Sequence, residues 1–515
     1  MKGGRNRRNR DRGQSRDKRG RNGVRNIVRP SKQVCDSAGR VEAKYLRQAS
    51  VTYPGPSTRR VVYYNYPTSG IGAALVRLDN IASDNTEPAE ADKFAAYGYL
   101  GAGTVVKVAY PAVTVSSNPL ALTYWTSGGG YAGFDGLGRV IAQKWQIQAT
   151  GGAVKDHFTY GYDGNSNRLY RTNEVDHTFD ELYHANGSAG SYDPASPRGL
   201  RRAGGLDRLK DFRRGTLTAS QQGGPLDTVA TASRTQQWAL DAVGNWGGFK
   251  SDAGDGGTWD LEQTRDHNKA NEIEDGADQD SDAIEVTTGG AWVQPAYNLA
   301  GNMTTGPKPD SPATPQVCTY DAWNRLMTVS EGSGTPTLVV TYSYDGRNRR
   351  IRKVVEGDPD VTYDYYYNES WQVLEVRKGE DPDPLEQYVW GIQYVDAPVV
   401  RFRDGNVDGD LLDTQDNTDS TLYYTYDGNF NVTAVVKPDG TVAERYTYDP
   451  YGKVAFKAAD WSDAANQAKS AYDNEVLYCG YRFDPESGNY IARNRYLHPT
   501  LGRWLTCPSR KLRPS

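Results

Sequence analysis

The chain has little of what enzymes and small secreted proteins build their sites from. Its 515 residues include four cysteines, five histidines and three methionines. Cys35, Cys318, Cys479 and Cys507 lie far apart, with no C-x-x-C or Cys/His spacing, which argues against structural zinc; their density is too low for a disulfide framework. His157, His177, His184, His267 and His498 are dispersed, and neither Gly-x-Ser-x-Gly nor His-Glu-x-x-His occurs. Gly101-Ala-Gly103 and Gly128-Gly-Gly130 lack the Lys-Ser/Thr or strand-to-helix context of a phosphate loop. No apolar run approaches the roughly 20 residues that span a bilayer, and no apolar stretch follows the basic N-terminus as in a signal peptide. Nothing selects a pair among the 64 carboxylates for sugar hydrolysis. The expectation is a chain without catalytic residues, cofactor or membrane span.

What the chain does have is tyrosine (36) and glycine (55), with abundant Asn, Asp and Thr, a composition suited to short strands joined by tight turns. The formal charge of −4 hides an asymmetry: residues 1–33 carry thirteen Lys or Arg against Asp11 and Asp17. Such a block cannot bury enough apolar surface to fold, so residues 1–33 are expected to be a disordered arm. No aromatic residue interleaves with its arginines, which removes the stacking that single-stranded nucleic acid requires; a nucleic-acid partner is not expected.

The chain also repeats itself. Phe134-Asp-Gly-Leu-Gly-Arg-Val140, Tyr162-Asp-Gly-Asn-Ser-Asn-Arg-Leu169, Leu240-Asp-Ala-Val-Gly-Asn-Trp246, Tyr297-Asn-Leu-Ala-Gly-Asn-Met303 and Tyr320-Asp-Ala-Trp-Asn-Arg-Leu326 share one layout. Tyr344-Asp-Gly-Arg-Asn-Arg-Arg350, Tyr426-Asp-Gly-Asn-Phe-Asn-Val432 and Tyr448-Asp-Pro-Tyr-Gly-Lys-Val454 continue it. An aromatic or apolar residue ends a strand, Asp or Asn follows, Gly or Asn can take the left-handed turn positions, and the next strand opens. Alternation before the turns, as in Val340-Thr-Tyr-Ser-Tyr344, has the period of two of a strand with one buried face. Neighbouring copies are 28 residues apart from Phe134 to Tyr162 and 23, 24 and 22 apart at Tyr297–Tyr320, Tyr320–Tyr344 and Tyr426–Tyr448, room for two strands and two turns. The predicted fold is all-β, an array of hairpins.

These copies, together with Tyr478-Cys-Gly-Tyr-Arg-Phe-Asp-Pro-Glu-Ser-Gly-Asn-Tyr-Ile-Ala-Arg-Asn-Arg-Tyr-Leu-His-Pro-Thr-Leu-Gly-Arg-Trp-Leu-Thr506, resemble the YD repeats and terminal core of RHS proteins. The resemblance implies a spiralling sheet or partial shell, in a secreted or surface-displayed protein of the toxin-delivery or cell-contact class. It divides the chain into the arm at 1–33, a degenerate β-region at 34–130, a repeat array at 131–424, the core at 425–506 and a short tail at 507–515. Within the core, Tyr481, Asp484, Pro485, Gly488, Tyr490, Arg493, Arg495, Tyr496, Pro499, Gly502, Arg503 and Trp504 are expected to be structural. Tyr490, Arg493, Arg495 and Tyr496 are expected to alternate along one strand, with the arginines tying neighbouring strands. His498 is read as a packed turn residue. Many family members cut themselves at an Asp-Pro-x-Gly motif after the core; here Cys507-Pro508-Ser509 stands instead, so neither self-cleavage nor a cargo domain is expected.

One further segment carries ligand chemistry. Asp404, Asn406, Asp408 and Asp410 place oxygen donors at the alternate positions of an EF-hand-type loop, with Gly409 at the turn; Gln415 stands where a bidentate Glu is needed, and Asp413, two residues earlier, is the partial substitute. Calcium is therefore the one cofactor the sequence offers. The functional expectation is a non-catalytic shell or cell-surface structural protein, with other shell segments or cell-surface glycans as partners. The alternative is a carbohydrate- or cell-surface-binding β-module, favoured if aromatic rings are exposed at regular spacing.

Overall fold

The computed structural model describes residues 26–28, 48–54, 60–67, 69–84, 88–124, 133–184, 208–221, 224–254, 256–274, 282–406 and 419–506. Their architecture is all-β, as the repeats predict: extended antiparallel sheets that do not close into a barrel. Among the described residues a 16-stranded sheet runs from Asn26–Val28 to Ile284–Thr288 and a 14-stranded sheet from Ala296–Tyr297 to Val454–Lys457. A four-stranded sheet from Arg482–Asp484 to Arg503–Trp504 completes the molecule. Strands adjacent in sequence are adjacent in space; the hairpin Leu217–Ala219/Leu226–Val229 stands outside the first sheet, which passes directly from Asp211–Arg214 to Arg234–Leu240. The region at 34–130 contributes strands such as Lys93–Leu100 and Thr104–Val115 to this same sheet. Asn26–Val28, inside the arm expected to be disordered, pairs with Gln48–Thr52, the β-branched Ile27 and Val28 suiting a strand. The rest of that arm lies outside the described residues.

Every repeat read from the sequence is a hairpin turn in which the leading residue pairs with the one six positions later. Tyr344 pairs with Arg350, Tyr320 with Leu326, Tyr297 with Met303 and Tyr448 with Val454. The acid after the tyrosine organises each turn. Asp345 Oδ1 accepts the backbone N–H groups of Arg347 (2.8 Å) and Arg349 (2.9 Å), and Oδ2 accepts Arg349 Nε at 2.7 Å. Asp321 and Asp135 repeat this set, and the hydrogen bonds they accept hold all three carboxyls below the usual range even though burial opposes ionisation. The residue three beyond the acid takes the left-handed conformation, Gly138 at φ +77° and Asn348 at +65°. Two copies escape sequence reading: His267-Asn268 to Ile273 and Tyr367-Asn368 to Val373, where Asn replaces Asp and Asn271 or Trp371 takes the left-handed place.

In the copies that carry them, the leading tyrosine and the arginine five residues on tie consecutive hairpins together. Tyr320 Oη donates to the carbonyl of Met303 (2.6 Å), Tyr344 to Leu326 (2.7 Å) and Tyr367 to Arg350 (2.7 Å). Each of these carbonyls belongs to the residue that opens the second strand of the preceding hairpin. In the other direction, Arg325 and Arg349 donate to the carbonyls of Asp345 and Asn368 in the next turn (both 3.2 Å). Their guanidinium groups lie 5.1 and 5.3 Å from the ring centres of Tyr344 and Tyr367.

The second sheet follows the first in the same order. Tyr53 and Tyr64 donate to the carbonyls of Tyr388 and Trp390, Tyr110 to Tyr424, Trp145 to Tyr426 and Arg214 to Tyr448, while Arg265 reaches Leu501 in the terminal core. The ribbon of hairpins thus winds back over itself, and side chains reaching carbonyls form the seam. Buried residues of both sheets and of the core, among them Trp145, Tyr388, Val435 and Phe483, share one apolar cluster.

The turns should tolerate amide but not hydrocarbon. Asp345→Ala orphans two backbone N–H groups and is expected to cost about 1–3 kcal/mol by urea denaturation. Asp345→Asn, the residue found at 298 and 368, should retain most of that stability. Equal losses in the two variants would show that the acceptor geometry is unimportant.

Candidate functional site under the terminal core

The hairpin of the core is where titratable groups converge. Asp484 starts the turn Asp484-Pro-Glu-Ser-Gly488, closed by Gly488 N–H to the Asp484 carbonyl at 2.8 Å. Gly488 has φ +69° and its Cα side lies against Pro309, where an added Cβ would come within 3.1 Å. The turn is thereby pressed onto the second sheet, and Gln316 Nε2 donates to the Ser487 carbonyl at 2.9 Å.

Three carboxyls and three cations meet beneath it. Arg350 pairs with the buried Asp484 carboxylate, which also accepts Tyr342 Oη at 3.1 Å and Ser487 N–H at 3.3 Å. Lys353 Nζ lies 3.1 Å from Glu475 and 2.9 Å from Glu486. Arg482 closes the group at 2.7 Å from Glu475, its guanidinium about equidistant from the rings of Tyr365 (5.4 Å) and Tyr388 (5.3 Å). Burial opposes ionisation of Asp484 and Glu475, but Lys353 with Arg350 and Arg482 overrides it, holding Glu475 at about 2 and Asp484 likewise low. Glu486 goes the other way, pushed up to about 7 by burial and then by the neighbouring Asp484 charge.

A polar cavity of about 240 Å³ lies at the seam between the sheets, where Arg171 bridges Glu181 (2.7 Å) and Asp427 (2.9 Å). Asp427 is itself the acid of a repeat turn. A second cavity, of about 370 Å³, is lined by Trp238, Trp246, Trp292 and Tyr451 beside the Arg234–Asp449 ion pair.

The core residues singled out from sequence fall mainly on structural duties. Tyr490 Oη donates to the Gly452 carbonyl (2.9 Å), and the hydroxyls of Tyr496 and Tyr344 lie 2.9 Å apart. Gly502, at φ +66°, sits so close to Trp246 that a Cβ would fall 2.2 Å from the indole. Arg495 stacks on Trp504 at 3.9 Å, Arg503 donates to the Asn271 carbonyl, Pro499 lines the aromatic cavity and Tyr481 is half-buried. The single alternating strand expected here is two strands, Asn489–Ala492 and Arg495–His498, because Arg493 turns the chain at φ +58° and is left exposed, 3.9 Å from Asp396. His498 is the packed residue expected: Nε2 is 2.7 Å from the Pro307 carbonyl, Nδ1 accepts Leu501 N–H at 3.0 Å, and burial drives its pKa down to about 4.

Of the calcium loop, Asp404 is buried and Asn406 exposed; Asp408, Asp410 and Asp413 lie outside the described residues. Tyrosines on the strands, such as Tyr342, Tyr388 and Tyr424, are buried, so they do not present the regular aromatic face that a carbohydrate-binding module calls for. Among the described residues no helix is long and apolar enough to cross a membrane. The convergence of Glu475, Glu486 and Lys353 was invisible in sequence: only the neighbouring Asp484-Pro-Glu stood out, and Lys353 is 133 residues from Glu486.

No family model matches the chain. It is 28% identical over 211 residues to the tRNA3(Ser)-specific nuclease WapA of Bacillus spizizenii and 27% identical to the tRNA nuclease WapA of Bacillus subtilis strain 168. Each match covers 41% of this chain and 8% of the relative. Among solved structures, that of TcdB2-TccC3 matches with a TM-score of 0.53 over 92% of this chain and 22% of the other, at 14% identity; TcdB2-TccC3-TEV matches at 0.52. These structural likenesses concern the fold. The relatives' names overturn the expectation of a non-catalytic structural protein or glycan-binding module: the proteins this chain resembles in sequence are nucleases. The repeats misled because turn and strand residues report the scaffold and carry no information about a catalytic function.

Breaking the ionic group should be costly. Arg350→Met leaves Asp484 charged, buried and short of its main partner, with an expected loss of about 3–5 kcal/mol; adding Asp484→Asn should recover part of it in the same urea titration. The stability that low-titrating Asp484 and Glu475 contribute is complete above their unfolded values near about pH 4 and is lost as pH falls towards about 2. Acid-unfolding curves of Glu475→Gln should be shallower than those of the parent over that window.

Proposed function

We propose that the chain is the β-sheet body of an RHS-like toxin polypeptide that acts on tRNA. The observation that carries this reading is the 211-residue likeness to WapA nucleases. The wound antiparallel sheets, of the same fold as TcdB2-TccC3, support the RHS-like part of it. The physical role follows from the ties between hairpins. A ribbon whose rungs are joined by tyrosine–carbonyl and arginine–carbonyl bonds is stiff along its length, and its windings are held by the long-range bonds of the seam. Such a body can hold another part of a toxin polypeptide. The target is then a nucleic acid, whereas the aromatic-free basic arm had pointed away from one.

The test is a tRNA cleavage assay with the purified chain and with any longer product of the same gene, read on denaturing gels. Discrete tRNA fragments from either are expected. Intact tRNA from both, with the circular-dichroism spectrum of a folded β-protein, would overturn the proposal.

A further inference from the structure

The aromatic cavity of about 370 Å³ lies apart from the ionic group under the core, and its size is that of a small-molecule site. Trp238 and Trp246 reach it from consecutive strands of the first sheet, Arg234–Leu240 and Trp246–Asp252. Trp292 comes from the segment that joins the two large sheets, and Tyr451 from the turn after Val442–Tyr448. The rings stand edge to face and so form walls: Trp238 and Trp246 are 5.7 Å apart at 66°, Trp246 and Tyr451 4.6 Å apart at 70°.

Two polar atoms of the lining residues have no hydrogen-bond partner among the described residues: Trp238 Nε1, a donor, and Gln236 Oε1, an acceptor. Both residues are buried, at 4% and 5% exposure. The amide orientation of Gln236 follows from its other atom, since Nε2 donates to Asp449 Oδ2 at 2.9 Å. Residues 236 and 238 share one face of their strand, so a single ligand can address both. Buried donors and acceptors are costly to leave unmade. A group that satisfies this pair brings an acceptor and a donor together, as the edge of a nucleobase does.

Charge around the cavity favours an anion. Arg234 neutralises Asp449 at 2.8 Å, and Asp260 accepts Ala253 N–H at 2.8 Å. Lys453, exposed in the lining, has no ion pair among the described residues. Arg265 is buried and likewise without an ion pair among them; its guanidinium lies 4.7 Å from the Trp246 ring centre and 5.7 Å from that of Trp292. The indole walls are thus backed by one cation and flanked by another.

We propose that this cavity binds one unpaired nucleotide, its base among the tryptophans with its edge on Trp238 Nε1 and Gln236 Oε1, and its phosphate at Lys453. Stacking on the rings supplies affinity for any base, and the polar pair sets the preference among bases. The assignment of that nucleotide to an RNA rests on the nuclease reading above; the chemistry of the pocket does not.

The experiment is isothermal titration calorimetry of the full chain with AMP, GMP, CMP and UMP, with the matching nucleosides, and with N-acetyltryptophan as a peptide-like aromatic anion. At least one nucleotide is expected to bind at one site, and its nucleoside about tenfold more weakly. Lys453→Met, at an exposed position, should bind the nucleotide no better than the nucleoside. Trp238→Phe keeps a ring but loses the donor and should weaken both about tenfold, with circular dichroism confirming that each variant is folded. No saturable heat from any of the four nucleotides at about 1 mM, or affinities unchanged in both variants, would overturn the proposal. Binding of N-acetyltryptophan without binding of nucleotides would overturn it too, assigning the cavity to a peptide side chain. Nucleotide binding beside intact tRNA would sink the nuclease reading alone, and tRNA cleavage without nucleotide binding the pocket alone.

Discussion

The structure depends on one repeated interaction, a carboxylate or amide oxygen that gathers the backbone N–H groups of its own turn. At Asp345, Asp321 and Asp135 this oxygen accepts two N–H groups and the second oxygen accepts an arginine. Tight turns leave donors that a strand ladder cannot satisfy, and here a side chain two to four residues away satisfies them. Once the turn is set, the tyrosine before it and the arginine after it are held in place to reach the neighbouring hairpins. Local geometry thereby becomes a ribbon.

The ribbon in turn positions the seam and the core. Where the second sheet crosses the first, the acids of two repeat turns gain partners from the other sheet. Asp427 and Asp449 keep their place after a tyrosine but are met by Arg171 and by Arg234 with Gln236. The same residue type therefore makes an exposed turn in one winding and a buried ion pair in another. What differs is whether another sheet lies over it.

Under the core, burial and charge compete. Three cations suffice to keep Asp484 and Glu475 ionised, and the remaining carboxyl, Glu486, is the group for which burial and like charge prevail. The sequence relatives are named as nucleases, a chemistry that nothing in this ionic group would suggest, and the fold is like that of TcdB2-TccC3.

Sequence by itself determined the turns, the strand alternation and therefore the all-β class, because those depend on residues within six positions of one another and tyrosine, aspartate and glycine report them directly. It missed the copies at Asn268 and Asn368, where Asn stands for Asp and no glycine marks the left-handed position, with Trp371 taking it instead. It placed Asp484, Gly488, Tyr490 and His498 in a packed core but ran one strand through Arg493, whose left-handed turn no glycine announced. The ionic group was beyond it. Lys353 and Glu486 belong to different sheets, and only the winding of the ribbon brings an ammonium and three carboxyls within one desolvated space, where their charges decide which of them keeps its proton.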